Sequence, residues 1–550
     1  MLPYLDPDRP VDERVEDLLA RMTLAEKAGQ LFHATLTMNG DGTLTEAGEG
    51  PFVRQGTTEL VAEGHLTHFN LPGRYGVRET AEWVNRLQTL AADTRLSIPV
   101  TLSTDPRHAF TDDPGASSRS GAFSVWPEPV GLAAIGEPEL VEQFGNTVRR
   151  EYLSVGFRVA LHPRADLSTE PRRPRRSGMF GSSVEGTSAL VQAYVRGLQG
   201  PRLGHRSVAA MVKHSPSGMR DLHLAPSGAA IEADRSQGIE GIVCTDWGLL
   251  GEAPIGGETR QARDRGVEHL TVAERAADAS DAADALHAGA DRFGGEQCPE
   301  AIVRLVRSGR IPEERVDACV RRLLRQKFVL GLFEHRYVDP DRAEETVGAA
   351  DFTALGEAAQ RRSLTVLTNH SLLPLSDRPN LYVEGLGAQT ASLYGNVVAD
   401  PAHADVAVLR LRTPYDERPG SPESSIHSGS PAFGEERLKE ILALLETVPT
   451  LVCVRLERPV ALPEIAAKAA ALVADYGASD AALLDVAFGR ARAEGRLPFE
   501  LPRSTAALEA SRPDGPDGPD SPDSPDSPDD TDDTDDTEGP VFPYGHGLAL

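Results

Sequence analysis

Residues 241–248, Gly-Ile-Val-Cys-Thr-Asp-Trp-Gly, are the stretch of this sequence best suited to chemistry. Their apolar, β-branched start predicts a buried strand, which ends in the carboxylate of Asp246 and the indole of Trp247. A carboxylate at the end of a strand can attack or stabilise a reacting carbon, and the ring beside it can stack on the apolar face of a sugar. An aspartate here could equally cap the helix that follows.

Three other polar groups follow strand-like runs. Lys213-His214 ends the run at 207–214 and supplies two adjacent donors that could bind several hydroxyl groups of one sugar. Asp105 closes the run at 98–105, where its carboxylate could accept hydrogen bonds from two hydroxyls. Residues 171–176, Pro-Arg-Arg-Pro-Arg-Arg, follow the run at 157–167. Judged singly, each group could also be an ordinary surface or loop feature.

The elements that would position these groups form an alternating α/β series. Amphipathic helices are predicted at 11–21, from the capping-box spacing Thr23 to Glu26 onward, and at 313–333. Between them, six strand-like runs are separated by helical stretches, at residues 67–71, 98–105, 157–167, 207–214, 241–247 and 290–295. Continuous apolar strands with polar groups at their carboxyl ends are typical of a (β/α)₈ barrel enzyme.

A second α/β series follows and predicts a separate domain. Its strand candidates are residues 363–369, 380–387, 406–413, 450–456 and 470–477, which suggests an open, mostly parallel sheet. We therefore expect a barrel domain at 1–335, a linker at 336–360, and a second domain formed by 361–512 and 540–550. Residues 513–539 are an acidic repeat of Pro, Asp, Ser, Gly and Thr, and are predicted to be disordered.

Composition limits the partners that we expect. The 550 residues carry 56 basic and 83 acidic side chains, a net charge of −27, which argues against nucleic acid or an anionic membrane as partner. Four cysteines far apart in sequence and in apolar surroundings favour buried free thiols over disulfides or zinc. The amino-terminal residues lack the basic and apolar regions of a signal peptide, so the cytoplasm is the expected location.

Taken together and in this order, the motifs resemble those of glycoside hydrolase family 3 over nearly the whole chain. The resemblance is carried by MTLAEKAGQL (22–31), FSVWPEPVGLAA (123–134), YVRGLQG (194–200), KH (213–214), IVCTDWG (242–248), RSGRIPEERVD (307–317), GRLPFELPRS (495–504) and FPYGHGL (542–548). It implies a (β/α)₈-like TIM barrel followed by an α/β sandwich domain, with an active site shared between them.

The resemblance also implies roles for individual residues in a retaining β-glucosidase. Asp246 matches the catalytic nucleophile and Trp247 the sugar-stacking tryptophan. Four residues match the groups that hold the terminal sugar, namely Asp105, Arg175, Lys213 and His214. Glu417, in the Pro-Tyr-Asp-Glu segment of the second domain, is the expected acid/base, with Glu423 as its competitor. One carboxylate would form a glycosyl-enzyme while the other protonates the leaving oxygen, so no metal or organic cofactor is expected.

The chain departs from the family pattern in the barrel. The 31 residues between His214 and Asp246 have room for one return helix, so one βα unit of the barrel is predicted to be missing. An interrupted barrel exposes sheet edges and would favour a homodimer. Two alternatives therefore stay open: a sugar-binding homologue with impaired catalysis, and a β-N-acetylglucosaminidase in which Asp221 and His223 supply the acid/base loop.

Overall fold

The amino-terminal half is built around one parallel sheet. Its strands are β1 (Phe32–Thr35), β2 (His68–Asn70), β3 (Thr101–Thr104), β4 (Phe157–Ala160), β5 (Ala209–Ala210) and β8 (Phe293–Gly294). They lie in the order β5-β4-β3-β2-β1-β8, and all neighbours are parallel. The structure, a computed structural model, describes residues 2–46, 55–110, 121–167, 176–213, 241–245, 247, 254–255, 258–259, 280–416, 427, 429–504, 506–507 and 540–549.

Helices precede, connect and follow these strands. They are α1 (Val11–Leu19), α2 (Leu24–Gln30), α3 (Thr57–Ala62), α4 (Val77–Ala92), α5 (Pro129–Ile135), α6 (Pro138–Val155), α7 (Val184–Gln199), α8 (Ser280–His287), α9 (Pro299–Arg307) and α10 (Glu313–Val329). A small antiparallel pair, β6 (Pro254–Ile255) and β7 (Glu258–Thr259), lies between β5 and α8 in the chain. The predicted capping box starts α2, because Thr23 Oγ1 accepts from the Glu26 amide at 3.3 Å and the Glu26 carboxylate accepts from the Thr23 amide at 2.8 Å.

The predicted strands are found in the sheet, together with one that the sequence did not reveal. β2, β3, β4, β5 and β8 fall within five of the six predicted runs. The sixth run also joins the sheet at its β8 edge, where the Thr245 amide donates to the Arg292 carbonyl at 2.9 Å and the Asp291 amide to the Val243 carbonyl at 2.7 Å. β1 was missed because Phe-His-Ala-Thr is short, contains a histidine and comes almost directly after α2.

The sheet curls so that its two described edges approach each other across the interior. Arg292 Nη2, beside β8, lies 3.4 Å from the sulfur of Met211, just after β5. The indole of Trp247 packs against the apolar cluster that contains Val159 of β4 and Ala209 of β5. This curvature confirms the predicted TIM-like barrel. Residues 214–240 lie outside the described part of the chain, so the missing βα unit stays a prediction.

Buried cationic side chains close the amino end of the barrel. Lys327 of α10 is fully buried and donates to the carbonyls of Thr67 and Pro99 at 3.0 Å each and to Thr101 Oγ1 at 2.7 Å. Burial holds the pKa of Lys327 well below its usual value. On the other side, Arg158 Nη2 donates to the carbonyl of Leu330 at 2.5 Å. These side chains fill the amino end, which leaves the carboxyl end of the strands as the place to look for a site.

The second half of the chain forms another six-stranded sheet. Its strands are β9 (Thr365–Asn369), β10 (Asn380–Glu384), β11 (Asn396–Val397), β12 (Val406–Arg412), β13 (Thr450–Arg455) and β14 (Ala471–Asp475), in the order β11-β10-β12-β13-β14-β9. Only β9 is antiparallel to its neighbour. The helices here are α11 (Pro340–Thr346), α12 (Ala350–Ser363), α13 (Ala388–Ala391), α14 (Glu435–Thr447), α15 (Pro463–Lys468) and α16 (Asp480–Ala487).

Both faces of this sheet are covered, as predicted for a sandwich domain. Along β13, Val452 and Val454 enter one apolar core with residues of α14 and α15, while Leu451 and Cys453 enter a second core with residues of α16. This alternation follows from the two-residue period of a strand.

Hydrogen bonds hold both ends of the second domain in place. The segment predicted as a linker is largely helical, and its Gly348 amide donates to Glu151 of α6 at 2.7 Å. At the carboxyl end of the chain, the Leu501 amide donates to the Phe542 carbonyl at 2.9 Å and the Leu548 amide to the Val366 carbonyl at 2.8 Å. Residues 513–539 lie outside the described residues, so their predicted disorder is untested.

Other sequence expectations concern the cysteines and the membrane. The four cysteines are free thiols, as predicted, although Cys244 and Cys298 are only partly buried. Among the helices that the structure describes, none is both long and apolar enough to cross a bilayer.

Candidate active site at the carboxyl end of the barrel

Asp105 and Lys213 form an ion pair at the open end of the barrel. Lys213 Nζ lies 2.9 Å from Asp105 Oδ1, and the other carboxylate oxygen accepts from Asn70 Nδ2 at 3.4 Å. The two side chains keep 37% and 27% of their surface exposed, so solvent or a ligand can reach them. The structure thus brings together two of the residues that the sequence predicts to hold a sugar.

The sheet explains this meeting. Asp105 directly follows β3, and Lys213 follows β5, with β4 between them. The chain after β4 extends the sheet, since the Lys213 amide donates to the Pro163 carbonyl at 3.1 Å and the Ala165 amide to the Lys213 carbonyl at 2.9 Å. Parallel strands that start together deliver their next residues to the same rim.

The surroundings keep Asp105 ionised. Burial alone would raise the pKa of this carboxyl, but the charge of Lys213 and the hydrogen bonds from Lys213 and Asn70 outweigh burial and hold the pKa below its usual value. Beneath the pair, burial first and the nearby ammonium second lower the pKa of His162 to about 3, so this imidazole is neutral. The pair therefore offers one fixed acceptor and one fixed donor near neutral pH.

Trp247 is joined to this pair by a chain of buried polar contacts. The indole meets the His33 ring edge-on at 5.2 Å between centroids. His33 Nε2 lies 2.7 Å from Ser103 Oγ, which donates to Asn70 Oδ1 at 3.3 Å. Because Asn70 also binds Asp105, contacts run from the predicted sugar-stacking ring to the predicted sugar-binding carboxylate.

Asn70, His33 and Ser103 are members of the site that sequence reasoning missed. His33 and Ser103 are almost fully buried, and burial holds the pKa of His33 well below its usual value. Each is a polar residue of a short strand that contains other polar residues as well, so sequence alone does not single it out. The signal that could have found them is the inward-facing position on neighbouring strands of a barrel.

The other predicted residues cannot be placed. Asp246, Arg175, His214, Glu417 and Glu423 lie outside the described residues, as do Asp221 and His223. For Asp246 the structure describes the residues on either side, Thr245 and Trp247. The roles of these residues remain predictions.

The second domain meets the barrel beside this rim. The Arg455 guanidinium, at the end of β13, lies 4.9 Å from the ring centre of Phe110, five residues after Asp105. The Glu128 amide donates to the Tyr476 carbonyl at 2.9 Å, just beyond β14. The carboxyl ends of β13 and β14 therefore face the segment that follows Asp105. Residues of the second domain thus lie beside the barrel rim, so a site could be shared by both domains.

Such an arrangement is suited to binding a sugar. A carboxylate and an ammonium at the rim of a parallel barrel, with an indole nearby, supply the hydrogen bonds and the apolar surface that a sugar ring requires. Among the described residues, no group of three or more His, Cys, Asp or Glu side chains could hold a metal ion.

Comparison with known proteins identifies the family. Residues 23–224 match the model of the glycosyl hydrolase family 3 N-terminal domain, and residues 380–550 match that of the C-terminal domain. The chain is 42% identical to probable beta-glucosidase C of Aspergillus flavus, an alignment that covers 99% of this chain and 92% of the relative. It is 36% identical to a periplasmic beta-glucosidase/beta-xylosidase of Dickeya chrysanthemi, over 99% and 91% of the two chains. The chain therefore belongs to glycoside hydrolase family 3, as predicted.

Solved structures agree with this fold. A β-glucosidase from Erythrobacter marinus superposes with a TM-score of 0.76 at 20% identity, covering all of this chain and 84% of that one. The Listeria innocua β-glucosidase in complex with glucose gives a TM-score of 0.71 at 19% identity, over 98% and 83%. At these identities the likeness supports the two-domain architecture and not a substrate.

Proposed function

We propose that this protein is an exo-acting β-glucosidase, which removes terminal β-D-glucosyl residues from small β-glucosides or oligosaccharides. The observation that carries the proposal is the ion pair between Asp105 and Lys213 at the barrel rim, 2.9 Å apart and partly exposed. The proposal is also supported by the relatives of this chain, several of which are named as β-glucosidases.

The proposed chemistry is a double displacement with retention of configuration. Asp246 attacks the anomeric carbon, the bond to the leaving oxygen breaks, and a carboxylic acid on the second domain donates a proton to that oxygen. The same group then removes a proton from a water molecule, which bonds to the anomeric carbon as the bond to Asp246 breaks, and glucose is released. Glu417 is the proposed acid/base and Glu423 its competitor, both in the segment after β12. Asp105, Arg175, Lys213 and His214 hold the glucosyl hydroxyls.

An assay with 4-nitrophenyl β-glucoside tests this function. The wild type should turn the substrate over, and Asp246→Asn should be slower by about 10⁴-fold or more, because the covalent step is lost. A wild type no faster than Asp246→Asn contradicts the proposal. Glucose binding by calorimetry, without turnover of any aryl glycoside, would instead establish the sugar-binding alternative.

A second sugar is favoured by a specific comparison. The Dickeya relative carries both beta-glucosidase and beta-xylosidase in its name. The aryl β-xyloside should therefore be assayed beside the β-glucoside, and the aryl β-N-acetylglucosaminide completes the set. Hydrolysis of the last substrate that survives Glu417→Gln and is abolished in His223→Ala would favour the N-acetylglucosaminidase alternative.

Location and assembly remain predictions. We retain the cytoplasm as the proposed location, while two relatives have the word periplasmic in their names. Cell fractionation of the native host would decide between the compartments, and sedimentation of the purified chain would show whether it forms the proposed homodimer.

A further inference from the structure

The segment after β12 leaves the sheet and returns to it with its two ends held side by side. We use the term acid/base loop for residues 414–430, which contain both candidate acids and of which the structure describes 414–416, 427, 429 and 430. Tyr415, at the outgoing end, stacks on His427, at the returning end, with ring centroids 3.9 Å apart and planes 16° apart.

Arg458, beyond the end of β13, binds both ends of the loop. Its Nη2 donates to the Pro414 carbonyl at 2.7 Å and its Nη1 to the Gly429 carbonyl at 2.8 Å. The side chain is almost fully buried. A planar guanidinium with two fixed, separated donors suits this task, because it sets the distance between two carbonyls as well as the direction of each.

Glu457, the residue before Arg458, adds a second attachment to the acid/base loop. Glu457 Oε2 lies 2.6 Å from Nδ1 of His427, and both side chains are mostly buried, with 15% and 18% of their surface exposed. Between the two ends, the Ser430 amide donates to Asp416 Oδ2 at 3.2 Å. Gly429 has a φ of +82°, and a Cβ atom there would lie 1.8 Å from this same oxygen.

The contacts of Glu457 and Arg458 hold the two ends of this segment more firmly than an ordinary surface loop requires. Exposed loops are usually held by their own turns, whereas here two consecutive residues of a neighbouring strand end fix the outgoing and the returning chain together. That strand end also faces the barrel, since Arg455 of β13 lies over Phe110. The attachment is therefore built on the part of the second domain that meets the proposed site.

We propose that Tyr415, His427, Glu457 and Arg458 form a clasp that holds the two described ends of the acid/base loop together at the end of β13, and that this attachment positions the acid carried between those ends. The inference rests on the proposed function, and it assigns these four as positioning residues that act through the acid on the loop. A general acid contributes only when it lies within hydrogen-bond reach of the leaving oxygen, and a displacement of about 1 Å can cost about 100-fold in rate. A rigid base for the loop meets that requirement.

Substrates that differ in their need for the acid provide the test. Phenyl β-glucoside has a poor leaving group, so bond cleavage needs the proton, whereas 2,4-dinitrophenolate departs without one. Arg458→Met should lower kcat/KM for the phenyl substrate by about 100-fold, and for the dinitrophenyl substrate by less than about threefold. Glu457→Gln should show the same selectivity with a smaller loss. Arg437→Met, which removes a half-exposed guanidinium of α14 that pairs with Glu384 and Glu440, is the matched control and should leave both values unchanged.

The outcomes separate the clasp from the function on which it rests. Equal losses on both substrates, or no loss on either, would overturn the clasp while leaving the β-glucosidase proposal intact. Failure of the wild type to cleave even the dinitrophenyl substrate would overturn both. Thermal unfolding of each variant checks folding, and if Arg458→Met does not fold, the substrate selectivity of Glu457→Gln decides.

Discussion

The barrel rim and the acid/base loop both lie where parallel strands end, yet they are built in different ways. At the rim, Asp105 is the first residue beyond β3 and Lys213 the third beyond β5, and the two pair directly across β4. In the second domain, Arg458 and Glu457 bind a long excursion of the chain rather than a ligand. In the proposed mechanism this difference is a division of labour: the rim residues hold the sugar, and Glu457 and Arg458 hold the two ends of the segment that carries the acid.

Removal of the rim carboxylate should give the largest effect in this comparison. Asp105→Asn keeps the shape of the side chain but loses the charge that pairs with Lys213 and accepts from hydroxyls. We expect kcat/KM for 4-nitrophenyl β-glucoside to fall by about 1,000-fold, because a charge-assisted set of hydrogen bonds is lost from the transition state. A loss below about threefold would remove Asp105 from the sugar site.

Removal of the ammonium should have a smaller effect with a distinct pH signature. In Lys213→Met, burial is no longer opposed by a neighbouring charge, so the pKa of Asp105 should rise. We expect a loss of about 100-fold in kcat/KM at neutral pH. We also expect the acidic limb of the pH profile to move to higher pH, because Asp105 must be ionised to act. An unmoved acidic limb would contradict the coupling.

The packing of Trp247 can be tested without touching a polar group. A Cβ atom at Gly294 would lie 2.2 Å from Cε3 of the indole and 2.8 Å from the Thr245 carbonyl, so Gly294→Ala must displace the ring or the strand. We expect a loss of about 1–3 kcal/mol in unfolding free energy, together with reduced activity. Gly204→Ala is the control, because nothing lies within 4 Å of its Cβ position. Equal stability of the two variants would show that Trp247 adapts freely.

The smallest expected effect concerns stability in acid. The carboxylate of Glu151 is fully buried and accepts from Ser124 Oγ at 2.7 Å and from the Gly348 amide of the linker at 2.7 Å. Burial would raise its pKa, but His108 and these hydrogen bonds outweigh burial and lower the pKa below 4.5. Its contribution is therefore complete above pH 4.5 and is lost as the pH falls through the lower, folded-state pKa.

Denaturant unfolding of Glu151→Gln between pH 7 and pH 3 measures this contribution. The variant should be less stable than the wild type by about 1–3 kcal/mol at pH 7, and the gap should close in acid. A gap that is constant with pH would mean that the loss comes from altered packing and not from ionisation.

Much of the fold was predictable, because burial leaves a periodic record in the sequence. The long apolar runs gave both sheets, and the strands β9, β10, β12, β13 and β14 lie within the five runs predicted for the second domain. β1 and β11 were missed, whereas β5 and β8, each two residues long, were found because they lie within longer runs that the sequence analysis recognised. The recognisable run around a strand, and not the length of the strand itself, decided whether it could be found.

The site was predictable only in part. Asp105 and Lys213 stand out because each ends a recognisable run, and their pairing follows from the parallel order of the strands. His33, Ser103 and Asn70 do not stand out, because their meaning depends on contacts across neighbouring strands. The clasp was the hardest part to predict from the sequence. Arg458 binds Gly429 from 29 residues away, and it does so through a backbone carbonyl that any residue would provide.

The central claim is that this chain cleaves β-glucosides through a covalent intermediate on Asp246. Incubation with 2,4-dinitrophenyl 2-deoxy-2-fluoro-β-glucoside, which forms the glycosyl-enzyme faster than water removes it, tests the claim most directly. Proteolysis and mass spectrometry should then find the fluoroglucosyl group on the carboxylate of Asp246, and Asp246→Asn should stay unlabelled. A label on another residue, or an active wild type that acquires none, would contradict the account.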